Sequence, residues 1–291
     1  MLIESEQHRQ HLSKVEAYYN KAQKFYETAW YRFGKGLGLH YGFWTPGVES
    51  RIQAIETENE TLARMLKIKA GDRILDAGCG VGGSGIWLTE RFDVKVVGVN
   101  IVQKQLRKGQ KLSLEHSVEN NSVFAQADYH TLPFVDNSFD VFWSLESIEH
   151  SDNVPQFVSE AHRVLKPGGR AVIAGTFQGF TQATRKQERQ MNVGFRAAGA
   201  FNDFRSIYEL SALMSDQGFH ISRVHDFTGL VMPSAIQMDR MCKAGLPFAK
   251  LAHQAGIVSQ IMVDNTQWGT YQKDLFESGV TRYNVIVAEK K

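Results

Sequence analysis

The sequence predicts an α/β protein built on a mostly parallel sheet covered by helices, and three observations carry that expectation. Between about residues 71 and 177, short β-branched runs alternate with helical patterns, the order that parallel strands and crossover helices require. One of those strands runs into Gly78-Cys79-Gly80-Val81-Gly82-Gly83, glycines spaced by two ahead of a helical pattern, as at strand-end turns in such sheets. With 291 residues and 43% hydrophobic content, the chain can bury one sizeable core plus an accessory element, so a single domain over residues 1–291 is expected.

Taken in order, residues 1–65 read as an N-terminal helical cap segment and residues 66–177 as the core. Within the core, strands are expected at 73–77, 94–99, 122–127, 139–144 and 170–176, and helices at 82–91, 102–115 and 154–165. Lys166-Pro167-Gly168-Gly169 ends the last helix, because proline and two glycines stop it and turn the chain. Residues 178–291 supply the rest of the sheet: a polar, glycine-spaced stretch at 178–201, a helix at 206–217, and strands at 220–227 and 281–288. About fifty residues separate those two strands, and 232–263 is rich in Met, Ala, Leu and Ile at helical spacing. Segments 178–205 and 229–279 therefore read as a cap over a pocket; the plainer alternative is a surface helix pair that only thickens the core.

Charge and cysteine content narrow the partners. The 33 basic and 31 acidic residues nearly cancel, to a formal +2, and are spread along the chain, so no face is built to track nucleic acid. Cys79 and Cys242 make neither a disulfide framework nor a metal-ligand spacing. The charged N-terminus lacks the apolar run of a signal peptide, and no stretch approaches the length of a membrane span. A cytoplasmic protein with no bound metal and no stable membrane insertion is expected; assembly is open between a monomer and a homodimer.

The glycine turn carries the chemistry. Gly78 and Gly80 let a ligand approach the backbone, and the first N–H groups of the following helix favour a ligand oxygen. Asp76 at the strand end suits an amino group and would repel a pyrophosphate, which separates this turn from dinucleotide sites. Further on come Ala127-Asp128-Tyr129, then Leu132-Pro133-Phe134-Val135-Asp136-Asn137-Ser138-Phe139-Asp140, and Arg163-Val164-Leu165-Lys166-Pro167-Gly168-Gly169.

This ordered set, over roughly residues 65 to 177, resembles the class I S-adenosylmethionine-dependent methyltransferases. The resemblance implies a doubly wound, seven-stranded Rossmann-like sheet with N-terminal helices, a helical cap before the last strand, and S-adenosylmethionine as cofactor. By that likeness Asp76, Gly78, Gly80 and Gly82 cradle the methionine part, and Asp128 and Tyr129 meet the adenine. The end of the second strand, Asn100, meets the ribose; Cys79, Ile101, Gln105 and Leu145 complete the expected cofactor contacts. Asn100 departs from the usual acidic residue there, but its amide can accept from one hydroxyl and donate to the other. The alternative is that Asn100 caps the helix that starts near Val102.

Ten aromatics crowd the span from Tyr18 to Trp44: Tyr18, Tyr19, Phe25, Tyr26, Trp30, Tyr31, Phe33, Tyr41, Phe43 and Trp44. Such rings can exclude water and face a sulfonium or carbocation, although core packing accounts for about half of them. With Leu39-His40-Tyr41-Gly42-Phe43-Trp44, the pattern is similar to the sterol, tocopherol and cyclopropane-fatty-acid group, which implies a small lipophilic acceptor and methyl transfer to carbon, with nitrogen or oxygen of a secondary metabolite as alternative. Methylation of an alkene or aromatic carbon needs a base for the departing proton. Glu146 and His150, four apart after the fourth strand, are expected to share a face, with Glu146 orienting the acceptor or taking the proton, His150 as support or alternative base, and Glu149 pointing elsewhere. Tyr19, Tyr26 and His40 are further candidates. Arg185, Lys186, Arg189 and Arg196 would serve a diphosphate-bearing acceptor, or simply form a solvated face. A noncatalytic module and an NAD-dependent dehydrogenase are the competing classes; the intact turn argues against the first, and Asp76 with no acidic residue after the second strand against the other.

Overall fold

The computed structural model describes residues 5–25, 37–197 and 205–291. Among these, the strands are β1 (Arg73–Ala77), β2 (Lys95–Asn100), β3 (Ser122–Gln126), β4 (Phe139–Leu145), β5 (Leu165–Gln178), β6 (Phe219–Asp226) and β7 (Thr281–Lys290). The helices are α1 (Glu6–Phe25), α2 (Arg51–Met65), α3 (Gly83–Arg91), α4 (Gln103–Glu115), α5 (Val154–Val164), α6 (Arg185–Ala197), α7 (Ile207–Asp216), α8 (Thr228–Gln254), α9 (Gln260–Gly269) and α10 (Gln272–Ser278). The strands form one sheet in the order β3-β2-β1-β4-β5-β7-β6. β1 to β5 are parallel, and β7 runs antiparallel to β5 and β6.

Both faces are covered, so the central strands read as unbroken apolar runs. Ile74 and Leu75 are both fully buried but face opposite ways. Leu75 joins the core of Phe142, Phe157 and Ile173, closed by α5 and α7. Ile74 joins Trp87, Val96 and Trp143, closed by α2, α3, α8 and α10. This is the doubly wound, seven-stranded Rossmann-like arrangement that the resemblance implies.

Local chemistry sets several element ends. Ser50 and Gln53 form a reciprocal capping box that starts α2, as Ser206 and Glu209 do for α7. Asn153 accepts from the Gln156 N–H to start α5, with Pro155 in its first turn. That helix stops before Pro167, but residues 166–169 are drawn into the start of β5 rather than forming a separate turn. Phe139 pairs with Leu165 and Val141 with Arg170, so a bulge absorbs the extra residues. The stretch expected to be irregular at 178–201 contains α6, which packs Gly194 against the Trp268 ring of α9; a Cβ there would come within 2.7 Å of the ring.

Strand order reverses between β1 and β4, where β2 and β3 lie to one side and β5 to the other. In open α/β sheets such a switch point leaves a crevice at the carboxyl ends of the strands.

Candidate active site

A cavity of about 270 Å³ opens at that crevice. Its wall comes from α1, residues 37–41, the turn after β1, the ends of β2, β3 and β4, and helices α8, α9 and α10.

In the turn after β1, Gly78, Gly80 and Gly82 have φ of 85°, 55° and 78°, the left-handed region where only glycine is free of strain. They do different work. A Cβ on Gly80 would meet nothing within 4 Å, on Gly78 it would strike Ser147 at 2.3 Å, and on Gly82 it would strike the Phe124 ring at 2.2 Å. Gly82 is therefore absent from the cavity wall, where Val81 and Gly83 stand instead; it admits Phe124 beneath the turn and begins α3. Gly82→Ala is expected to cost roughly 1–3 kcal/mol of stability. Denaturant unfolding checks this, and a loss within experimental error contradicts it.

Asp76 is 4% exposed, lies in the wall, and its carboxylate receives no hydrogen bond from any described residue. Burial alone pushes its carboxyl up to about 7. Beside it, the first residues of α3, Gly83 and Ser84, also face the cavity, bringing the positive end of a helix. An unpartnered carboxylate next to a helix N-terminus suits a zwitterionic amino acid, whose ammonium would meet the acid and whose carboxylate would meet the helix.

The other expected cofactor residues ring the same space: Cys79, Asn100, Ile101, Gln105, Asp128, Tyr129 and Leu145 all line it. Asn100 is already committed. Its Oδ1 accepts from the Val102 N–H at 3.1 Å, and its Nδ2 donates to Gly80 O at 3.3 Å and Gln105 Oε1 at 2.8 Å. It thus holds the start of α4 and the glycine turn together, leaving only spare acceptor capacity on Oδ1 for a hydroxyl. Asp128 accepts from His130 Nδ1 and His8 Nε2, both at 2.8 Å. Burial opposes its charge, but those hydrogen bonds overcome it and hold the carboxyl at about 2. The second ring nitrogen of His8 meets Asp152 at 2.9 Å, so α1 is clasped to two carboxylates at the cavity rim. The Tyr129 ring lines the cavity while its hydroxyl donates to Ser147 O at 3.1 Å.

Opposite the turn lie the acids and bases. Glu146 has φ of 46°, unusual for a side chain with a Cβ, and its Oε1 accepts from the Tyr41 N–H at 2.8 Å. Burial first, then the nearby charges of Glu58 and Glu149, push its carboxyl well above the ordinary range. His150 follows on a 3-10 turn, Ile148–His150; burial lowers it to about 4, so it is neutral, and its Nε2 lies 2.8 Å from the Tyr19 hydroxyl. Glu149 does not point away: it lines the cavity too, accepts from the Thr176 N–H at 2.7 Å, and is raised by burial to about 7. The short 3-10 turn, rather than an α-helix, brings it round. His40 lines the cavity while its Nδ1 meets Glu58 at 2.5 Å. Glu58 was not legible from sequence. It is fully buried, accepts from Tyr283 OH and the Gly42 N–H, and so fixes the turn that presents Tyr41 to Glu146. Its position on the Ile55-Glu58-Leu62 face of α2 was the available signal.

Of the ten early aromatics, Tyr18, Tyr19 and Tyr41 line the cavity, joined by Tyr129, Trp268 and Phe276 from later segments. Phe43 is core, and Trp44 donates to Ser234. Tyr26, Trp30, Tyr31, Phe33 and the Phe25 side chain lie outside the described residues. Among the described residues, no lysine or arginine lines the cavity. Lys186, Arg189 and Arg196 line a separate groove with Gln267 and Tyr271, and Arg185 is exposed.

Comparison with known proteins agrees with this geometry. A methyltransferase domain family model matches residues 75–173. The chain is 32% identical over 193 residues to the 27-O-demethylrifamycin SV methyltransferase of Amycolatopsis mediterranei, covering 65% of this chain and 71% of that protein. The chain belongs to the class I S-adenosylmethionine-dependent methyltransferases. It is also 33% identical over 157 residues to the sterol 24-C-methyltransferase of Schizosaccharomyces pombe, 54% of this chain but only 40% of that longer protein. Geranyl diphosphate C-methyltransferase from Streptomyces coelicolor, solved with Mg2+, geranyl diphosphate and S-adenosyl-L-homocysteine, shares the fold with a TM-score of 0.72 at 20% identity, over 97% of this chain and 98% of that one. S-adenosylmethionine is the cofactor of this methyltransferase, and the orphan Asp76 carboxylate with the open space over Gly80 fits its amino-acid end.

Proposed function

We propose that this methyltransferase places the methyl group on a carbon of a small, neutral, lipophilic acceptor of terpenoid, sterol-like or prenylated type. The observation that supports this reading is the composition of the wall: Asp76, Asp128, Glu146 and Glu149, six aromatic rings, and no described lysine or arginine. Such a wall favours cations through carboxylates and ring faces, and repels a phosphate or carboxylate on the acceptor.

When bound, S-adenosylmethionine supplies an electrophilic methyl on a cationic sulfur. Asp76 and the N-terminus of α3 hold the amino-acid end, Asp128 and Tyr129 the adenine end, and Asn100, Ile101 and Gln105 the ribose between them. Gly78, Cys79 and Gly80 contribute backbone, and Leu145 an apolar contact. Tyr18, Tyr41, Trp268 and Phe276 align the acceptor and exclude water. Once the acceptor π pair has taken up that methyl, the cation left on the acceptor would lose a proton to Glu146 Oε2. Tyr41 N–H holds the other oxygen, and the buried neighbours that raise this carboxyl make it a stronger base.

A second reading, methylation at oxygen or nitrogen, is favoured by the contact of Tyr19 with neutral His150, a route by which an acceptor proton can leave. Turnover with labelled methyl donor and paired neutral and phosphorylated acceptors separates the possibilities, with the methylated atom assigned by NMR. Neutral acceptors are expected to exceed their phosphorylated partners by about tenfold or more, with label on carbon. Label confined to a heteroatom establishes the second reading, and a preference for the phosphorylated partner rejects the neutral-acceptor claim.

A further inference from the structure

The far end of α8 carries an apolar stripe that no described residue covers. Ala244, Phe248, Leu251 and Ala255 recur at helical spacing on one exposed side, and Ile257 extends the stripe into the next turn. Phe248, Leu251 and Ile257 are 74%, 65% and 76% exposed, a clustering that monomeric surfaces seldom carry without a use. Arg240, Lys243 and Lys250 are exposed along the edge of the same stripe, with Asp239 the acidic partner of Lys243 at 2.8 Å. The same helix, one to two turns back, presents Met238, Met241 and Cys242 to the cavity.

We infer that this end of α8 is a docking surface for an anionic lipid bilayer, from which a lipophilic acceptor enters the cavity. Apolar side chains flanked by cations are what an interfacial helix needs: the rings and branched chains enter the headgroup boundary while the lysines meet anionic lipid. A second copy of this chain packed antiparallel on the stripe fits less well, since the two-fold would then set each copy's basic edge against the other's. The route of entry rests on the lipophilic-acceptor reading; the docking surface does not.

The test is co-sedimentation of the full chain with phosphatidylcholine vesicles, with and without phosphatidylglycerol, in the absence of acceptor. Binding is expected with phosphatidylglycerol, weakened by salt, and reduced about tenfold or more by Phe248→Asp with Leu251→Asp and by Arg240→Glu with Lys250→Glu. Neither pair lies in the cavity wall, so turnover of detergent-dispersed acceptor and the unfolding temperature are expected to stay unchanged. No sedimentation of the wild type, or equal sedimentation of wild type and both variants, overturns the inference. So does a loss of dimer in the Phe248→Asp, Leu251→Asp variant with vesicle binding unaltered. If vesicles bind as expected but only a polar acceptor is methylated, the acceptor reading fails and the docking surface stands.

Discussion

Asp76→Asn weakens binding of S-adenosylmethionine about tenfold to a hundredfold while leaving the ligand-free protein at least as stable as the wild type. Hydrogen bonds to charged groups contribute about 1.5–3 kcal/mol, which sets the loss in affinity. The stability result follows from the absence of any partner: in the ligand-free protein the Asp76 carboxylate is buried with no described donor, a cost that asparagine avoids. The pH dependence fixes the sign. A carboxyl raised from 3.8 to about 7 on folding binds its proton more tightly folded than unfolded. Its contribution to stability is complete below the unfolded value and declines as pH rises from about 4 to about 7, by up to about 4 kcal/mol. Asp76→Asn removes that decline. Donor binding needs the carboxylate, so wild-type affinity rises toward pH 7, and binding near pH 6 releases close to one proton. Calorimetry in two buffers of different ionisation enthalpy reads that proton directly. Undiminished donor affinity in Asp76→Asn, or no proton release, rejects the assigned role.

Glu146→Gln lowers turnover of a carbon acceptor about a hundredfold to ten-thousandfold, the range of a lost general base, while donor affinity stays within about threefold. Glutamine keeps the shape and an oxygen for the Tyr41 N–H, so the loss falls on kcat rather than on folding or donor binding. Because burial and the charges of Glu58 and Glu149 raise the Glu146 carboxyl, wild-type kcat is expected to climb with pH as that group ionises, and the variant loses this limb. Steady-state kinetics over pH with donor and acceptor varied separately makes the measurement. Full turnover in Glu146→Gln would mean that the proton leaves elsewhere, with the Tyr19–His150 contact as the alternative exit.

What was legible in the sequence was what local chemistry dictates. The sheet followed from alternating apolar runs, and the turn after β1 followed from glycines at positions that the backbone carries through positive φ. Pairings between distant segments were hidden. Nothing near Asp128 in sequence announces His8, 120 residues away, and nothing in the Glu56-to-Glu60 run of α2 distinguishes buried Glu58 from the more exposed Glu56 and Glu60 except the apolar residues a turn to either side. Glu149 was misplaced because an α-helical turn was assumed where the chain forms a 3-10 turn. Gly82 looked like a ligand contact because spacing alone cannot separate a glycine that opens onto a cavity from one that makes room for an aromatic ring behind it.

A crystal structure with S-adenosylhomocysteine and a prenylated acceptor analogue tests the whole account most directly. The product's amino group is expected within about 3 Å of the Asp76 carboxylate, its carboxylate on the first N–H groups of α3, and the analogue between the thioether sulfur and Glu146. Product density in the basic groove of α6, or at the turn with its amino group turned away from Asp76, would contradict it.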